Sequence, residues 1–326
     1  MTRARRLAEQ HDPAPHAHRP AGRRALPAAE LAQALGAQRL PVVAQLIAFR
    51  VPLAAMLGIA GLALVGLAVA RRSVLAALLA MLLGTGAVAN AGIALSRGAQ
   101  PEPTGGELVV ASWNTLGGAV DAGTIAQLAL DERADALVLP ETSAAVVEAA
   151  ARIVSAAGRP MTAGTAVEPA LGTSDPTSVL IAASLGEYRQ DVAAGTTPAI
   201  ASGVWRPVDG EGPVIVAAHP SPPMPWSMPF WSAGLDWVAE QCADARAVVA
   251  GDLNATVDHF GTGLGGCRGA APTAGTWPTG APSVVGAPID HVLAGAAWRV
   301  ETLRVIERLD EAGSDHRPVV AELSRR

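Results

Sequence analysis

Two blocks without a charged residue dominate the hydropathy pattern of the first hundred positions. Residues 51–70, VPLAAMLGIAGLALVGLAVA, carry no charge; Arg71 and Arg72 interrupt; a second block runs from Ser73 to Ser96. About 20 apolar helical residues cross a ~30 Å hydrocarbon layer, so the pattern predicts a transmembrane helical hairpin with spans at 51–70 and 73–95. The first block begins too far into the chain for a cleaved signal peptide. Before it, Leu40 to Phe49 is apolar but short and is closed by Arg50, which reads as an interfacial elbow over 40–50. Residues 1–39, rich in Arg, Pro, His and Ala, read as a basic disordered tail. RGAQPEPTGG, over 97–106, reads as a linker whose Pro and Gly end the last helix.

From Glu107 the period changes. ELVVASW, ALVLP, SVLIAAS, ASGVWRP, GPVIVAAH, RAVVAG, DHVLAG, WRVETLRVIE and RPVVAEL have strand character. DAGTIAQLALDERA, SAAVVEAAARIVSAAG (ended by Gly158) and WSAGLDWVAEQCADA have helical spacing. Strands interleaved with helices over 107–324 predict a layered α/β domain.

Charge sharpens the division. Residues 1–106 carry 11 Arg against four acids (net +7), whereas residues 107–326 carry 13 Arg against 25 acids (net −12). Every basic residue is Arg, in keeping with an Ala- and Gly-rich coding background. A domain at −12 is a poor non-specific partner for a polyanion, because phosphate contacts need clustered cations. Metal-dependent phosphate chemistry stays open.

Several apolar runs close on a polar group: SWNT (Asn114), LPET (Glu141), AAHP (His219), GDLN (Asp252, Asn254), PIDHV (Asp290) and GSDHRPV (Asp315, His316). Strand C-termini in layered α/β folds are where ligand-binding groups gather. Singly these residues carry little weight. Asp and Asn are turn formers, Glu141 could be a helix N-terminal acid, and a lone His219 could be packed or exposed.

The ordered series, with GDLNAT and SDHRPVV as its most specific pair and GTWP shortly before PIDHV, resembles the endonuclease/exonuclease/phosphatase superfamily over residues 107–324. An elbow like VVAQLIAFRVPLA before such a hairpin resembles a bacterial membrane-anchored subgroup. The resemblance implies a four-layer α/β sandwich of the deoxyribonuclease-I-like type, preceded by the transmembrane hairpin. It implies Mg²⁺, with Mn²⁺ able to substitute, held by Asn114 and Glu141 with Asp315 near the same ion. Oxygen ligands suit that ion, and no CxxC or HExxH supports zinc. It further implies that Asp290 orients His316, that Asp252 orients or deprotonates the attacking water, and that Asn254 holds the phosphate. His219 would stabilise the pentacovalent oxygens or protonate the leaving group.

The implied activity is hydrolysis of a phosphate ester in nucleic acid, phospholipid or a small molecule, most simply a phosphodiester, as nuclease, phospholipase C-like enzyme or phosphatase. A catalytically inactive ligand- or partner-binding member of the same fold is the alternative. The lipid bilayer is the partner of residues 51–95, and no obligate protein partner is evident. Two family features are missing: Leu116 stands where some members carry an acid, and the sole Tyr, Tyr188, reads as part of a solvent-exposed turn rather than a phosphate contact.

HPSPPMPWSMPFW, after His219, is either a rigid loop over the core or an apolar rim suited to a membrane-proximal substrate. Cys242 and Cys267 either form a disulfide, as an exported domain would allow, or remain separate thiols. The eight Arg up to Arg50 favour a cytoplasmic N-terminus, while Arg71–Arg72 favours a cytoplasmic turn and hence an exported domain. A further span over Leu31–Phe49 would reconcile them but would place Arg39 in lipid. We expect a multi-pass protein of the bacterial cytoplasmic membrane with its catalytic domain outside.

Overall fold

The computed structural model describes residues 36–97, 100–166, 176–260, 264–272 and 274–326. Most of the expected tail, and residues 31–35 of the further span considered above, therefore lie outside the described residues. The chain enters through a short 3₁₀ turn, Ala37–Arg39, then α1 (Val43–Ala48), α2 (Arg50–Arg71) and α3 (Val74–Ser96).

Helices α2 and α3 pack on each other along small residues. A Cβ on Gly61 would lie only 3.5 Å from the Ala80 carbonyl and the Gly84 nitrogen. Arg72 takes a left-handed conformation between them, and the Ser73 hydroxyl caps the Ala76 N–H. Both helices are long and apolar enough to cross a membrane, with mean hydropathy 2.4 and 2.0. Unlike core helices of a soluble protein, they turn most of that apolar surface outward: Ile59, Leu62, Val69 and Val74 are among their exposed residues.

The remainder forms two sheets. The first has the order β10-β11-β1-β2-β4-β3, from Trp298–Val305, Val319–Arg325, Leu108–Ser112, Ala136–Leu139, Ser178–Ala182 and Met161–Thr165. The second has the order β5-β6-β7-β8-β9, from Tyr188–Gln190, Gly203–Pro207, Val214–Ala218, Ala247–Asp252 and Asp290–Ala294. One apolar cluster, with Val110, Val138, Ile215, Val248 and Val292, fills the space between them. A second seats α4 (Ala122–Asp131) and α5 (Ala144–Ala156) on the first sheet, and a third seats α6 (Met228–Gln241) on the second. The layers thus run helix, sheet, sheet, helix, the α/β organisation that the pattern predicts.

Each sheet holds one parallel pair joined by a helical crossover: β1 with β2 through α4, and β7 with β8 through α6. All other pairings are antiparallel. The buried strands are apolar on both faces, which explains their continuous runs in the sequence.

Three features differ from expectation. Tyr188 is not in an exposed turn; it sits in edge strand β5, pairs with Pro207, and donates from its hydroxyl to the Pro213 carbonyl at 2.9 Å. Asp290 opens a strand rather than closing one. The elbow does more than lead into the hairpin: Ala44 is fully buried in the cluster beneath α6. In addition, Arg39, at the end of the expected tail, pairs with Asp236.

Candidate active site

Topology explains how residues far apart in sequence meet. Asn114 and Glu141 lie two residues past the C-terminal ends of β1 and β2, His219 directly follows β7, and Asp252 ends β8. These are the C-terminal ends of the two parallel pairs. The other members arrive from strand beginnings. Strand β9 runs antiparallel to β8 with Asp290 opposite Asp252, and β11 runs antiparallel to β1 with Val319 opposite Ser112. The start of each antiparallel partner therefore falls at the same edge, and Asp315 and His316 lead into β11 there.

All eight residues singled out in the sequence join one connected cluster. The Asn114 Nδ2 donates to Glu141 Oε1 at 3.0 Å and to Asp252 Oδ2 at 3.1 Å. His219 Nε2 lies 3.6 Å from Asp252 and 3.8 Å from Glu141. His316 Nδ1 pairs with Asp290 Oδ2 at 2.9 Å, while its Nε2 lies 3.7 Å from Asp252 and 3.9 Å from Asp315. The Asn254 N–H donates to Asp252 Oδ1 at 2.8 Å, and its side chain to the Pro220 carbonyl at 3.0 Å.

The backbone is specialised where it carries these groups. Glu141 and Asn254 have φ of 54° and 47°, a left-handed conformation uncommon outside glycine and most readily adopted by Asn and Asp. Gly251 has φ 148°, and a Cβ there would fall 1.8 Å from the Ala218 carbonyl oxygen. Only glycine lets β8 approach β7 closely enough to set Asp252 beside His219.

Several supports come from the SDHRPVV and GTWP motifs, whereas His259 had no distinctive signal in the sequence. The Ser314 hydroxyl donates to the Asn114 carbonyl at 2.6 Å and receives the His316 N–H at 3.0 Å, tying the SDH turn to β1. Trp277, from GTWP, donates to Asp315 Oδ2 at 2.8 Å. Buried Arg317 braces the same loop through the carbonyls of Gly275, Pro278, Thr279 and Ala281, and pairs with Asp310 at 2.6 Å. His259 accepts the Thr256 N–H at Nδ1, so its Nε2–H donates to the Ala44 carbonyl at 3.0 Å. This joins the elbow to the loop after Asn254.

Electrostatics follow from burial opposed by proximity. Burial disfavours the charged form of His316, but Asp290 and Asp252, with Asp315 further off, outweigh it and lift the imidazolium pKa to about 10. Burial likewise disfavours ionised Asp252, but His316 and His219, together with the Asn254 N–H, hold it at about 2. At neutral pH these directions give a carboxylate facing an imidazolium. His291, next to Asp290, is different: burial pushes it down to about 4, and its Nε2 meets the Ala255 carbonyl at 2.8 Å, a packing role.

The cluster forms the polar floor of a pocket of about 780 Å³, which Glu141, His219, Asp252, Asn254 and His316 line. Asp252, Asp290 and His316 also bring ligand-capable atoms within 4.8 Å of one another, a set that could hold a metal ion only if His316 gave up the proton it shares with Asp290. Asp290 Oδ1, Asp315 Oδ1 and His219 Nδ1 are buried with no hydrogen-bond partner among the described residues. Unpaired buried groups are costly, and a bound ion, water or substrate would satisfy these three.

The sequence matches the Endonuclease/Exonuclease/phosphatase family model over residues 111–316, a stretch that contains every residue of the cluster. The chain belongs to that family. Its members are metal-dependent hydrolases of phosphodiesters. Among solved structures, an endonuclease/exonuclease/phosphatase from Beutenbergia cavernae is 22% identical, with a TM-score of 0.50 over 66% of this chain and 71% of its own. The 3'-5' exonuclease NExo from Neisseria meningitidis is 17% identical, with a TM-score of 0.50 over 67% of this chain and 100% of its own. At these identities the likeness establishes the shared fold alone. A search of curated proteins returned no match.

Within the family frame, the cysteine alternatives resolve. Cys242, at the end of α6, and Cys267 are joined by a disulfide with their Cα atoms 5.2 Å apart.

Proposed function

We propose that the chain is a membrane-anchored, Mg²⁺-dependent phosphodiesterase in which water attacks the phosphorus of a bound ester. The observation that carries this reading is the joining of Asn114, Glu141, His219, Asp252 and His316 into one buried polar floor, contributed by both sheets.

The oxygen-rich part of the cluster fits Mg²⁺. Glu141 and Asp315, with the Asn114 amide, would hold the ion, and Asp315 Oδ1 is an orphaned acceptor. When bound, the ion supplies charge neutralisation at the phosphoryl oxygens. The remaining work falls to the chain's own side chains. Asp252, fixed by the Asn114 amide and the Asn254 N–H, accepts a hydrogen bond from the attacking water and sets it in line. Asn254, held by Asp252 and Pro220, presents its amide to a phosphate oxygen. His316, held by Asp290, directs Nε2–H toward Asp252 and the charge that develops at phosphorus. His219 stands across Asp252 from it, placed to donate to an equatorial or leaving oxygen.

The outward apolar surface of α2 and α3 supports a membrane hairpin, and the Cys242–Cys267 disulfide supports an oxidising compartment for the domain. The net charge of −12 over residues 107–326 favours small or lipid esters over tightly held duplex DNA.

The reading is tested by hydrolysis of bis-p-nitrophenyl phosphate by the full chain in dodecyl maltoside. Turnover should require Mg²⁺ or Mn²⁺ and stop with EDTA. Unchanged turnover with EDTA, or none with either metal, would refute it.

A further inference from the structure

The elbow before the hairpin forms part of the pocket wall. Ala48 and Phe49 line the cavity that holds the catalytic cluster, and the Phe49 ring lies 6.0 Å from that of Trp277. The elbow is fixed there from several directions. Ala44 is buried in the domain core and its carbonyl receives His259, while Gln45 donates to the Pro223 carbonyl on the facing loop.

Both ends of the hairpin are fastened beside the same site. Arg50, opening α2, and Arg97, just past α3, pair with the single buried carboxylate of Asp258 at 3.1 and 2.7 Å. Asp258 lies four residues beyond Asn254.

The chemistry of the wall is one-sided. Above the polar floor it is mostly apolar, with Ala48, Phe49, Ile200, Met224, Trp277 and Ile289 beside Gln45 and His259, and among the described residues no Arg lines it. Beyond the floor itself, a polyanionic backbone would find no Arg among the described lining residues to follow. The apolar character continues outward: Leu46 beside the elbow wall, and Trp226 and Phe230 just beyond Met224, are exposed. Exposed apolar residues thus stand close in sequence to an apolar pocket wall, with two outward-facing apolar helices attached, a setting suited to hydrocarbon.

We infer that the elbow completes the substrate pocket and that the substrate is an amphiphilic phosphate ester of the bilayer. Its phosphate meets the polar floor and its hydrocarbon part lies along the wall formed by Ala48, Phe49 and Met224. The inference rests on the phosphoesterase reading and adds to it the class of substrate and a binding role for the segment leading into the hairpin.

Two esters that differ only in their tail test it: p-nitrophenyl methyl phosphate and p-nitrophenyl hexadecyl phosphate. In both, water adds to phosphorus, p-nitrophenolate leaves, and an alkyl phosphate remains. The full chain in dodecyl maltoside with Mg²⁺ should favour the hexadecyl ester in kcat/KM by at least about tenfold, which burial of two methylenes suffices to give. Ala48→Arg and Met224→Glu place charge in the wall from the elbow and from the loop after His219, and each should bring the ratio toward one. Because the ratio is taken on a single preparation, a partly unfolded fraction cancels. Equal rates in the wild type would overturn the inference while leaving the phosphodiesterase intact. So would a preference that survives both variants, since it would then come from sharing a micelle. Faster cleavage of duplex DNA than of the hexadecyl ester would also overturn it. Hydrolysis of neither ester would refute the phosphoesterase reading and take the inference with it.

Discussion

Asp258 offers the sharpest test of how the hairpin is held to the domain. Its carboxylate, 6% exposed, receives Arg50 through both Nε and Nη2 at 3.1 Å and Arg97 at 2.7 Å. The two guanidinium groups are themselves only 7% and 11% exposed. In Asp258→Ala both cations remain in place, and Arg50 keeps only Asn90, at 2.7 Å, as an observed acceptor. Removing one partner of a buried pair costs about 3–5 kcal/mol, because the other charge stays buried and unpaired. For a domain of this size that corresponds to a fall in Tm of roughly 6–20 °C. The control is Glu187→Gln, which breaks an exposed pair with Arg189 and should cost less than about 1 kcal/mol. Thermal unfolding of the full chain in detergent, followed by tryptophan fluorescence, reads both. A shift for Asp258→Ala no larger than that of the control would show that the buried ionic junction does not hold the hairpin to the domain.

Two further outcomes follow from other contacts. The Glu322 carboxylate accepts the N–H groups of Thr104, Gly105 and Gly106 and the Thr104 hydroxyl. Burial opposes its ionisation, but these donors outweigh it and hold the group below its ordinary value of 4.5. A carboxyl depressed on folding contributes stability that is present above the unfolded value and lost as pH falls through the folded one. Glu322→Gln should therefore cost roughly 1–2 kcal/mol at pH 7, and the gap from wild type in denaturant unfolding should close as pH falls below 4.5; a gap independent of pH would contradict this. Gly251→Ala, whose Cβ would fall 1.8 Å from the Ala218 carbonyl oxygen, should destabilise by about 3 kcal/mol or more and remove turnover. A well-folded, fully active variant would contradict the role given to Gly251.

How much of this was legible in the sequence depended on how local each signal was. The two long apolar helices were visible as uncharged runs, and the α/β alternation and nearly every central strand because burial on both faces leaves unbroken apolar stretches, as in β7 and β8. Strands β3 and β5 were not, since both are short edge strands with polar or small residues at half-exposed positions. All eight candidate residues were visible as polar groups beside apolar runs, and the structure brings them into one cluster. What the sequence could not display was antiparallel geometry: Asp290 reaches the site by opening β9, directly across from Asp252. Pairings such as Arg50 with Asp258, over 200 residues apart, leave no local trace. The docking of α1, a six-residue helix with only Ala44 and Ile47 buried, was equally silent.

The most direct test of the catalytic role proposed for the cluster is turnover of bis-p-nitrophenyl phosphate at saturating Mg²⁺ by the wild type and by Asp252→Asn. The substitution keeps the size of the side chain while removing the charge that faces His219 and His316 at 3.6 and 3.7 Å. If Asp252 orients the attacking water, kcat should fall by about 10²-fold or more, with Tm lowered by too little to unfold the protein at the assay temperature. An Asp252→Asn enzyme that retains wild-type kcat would contradict that role.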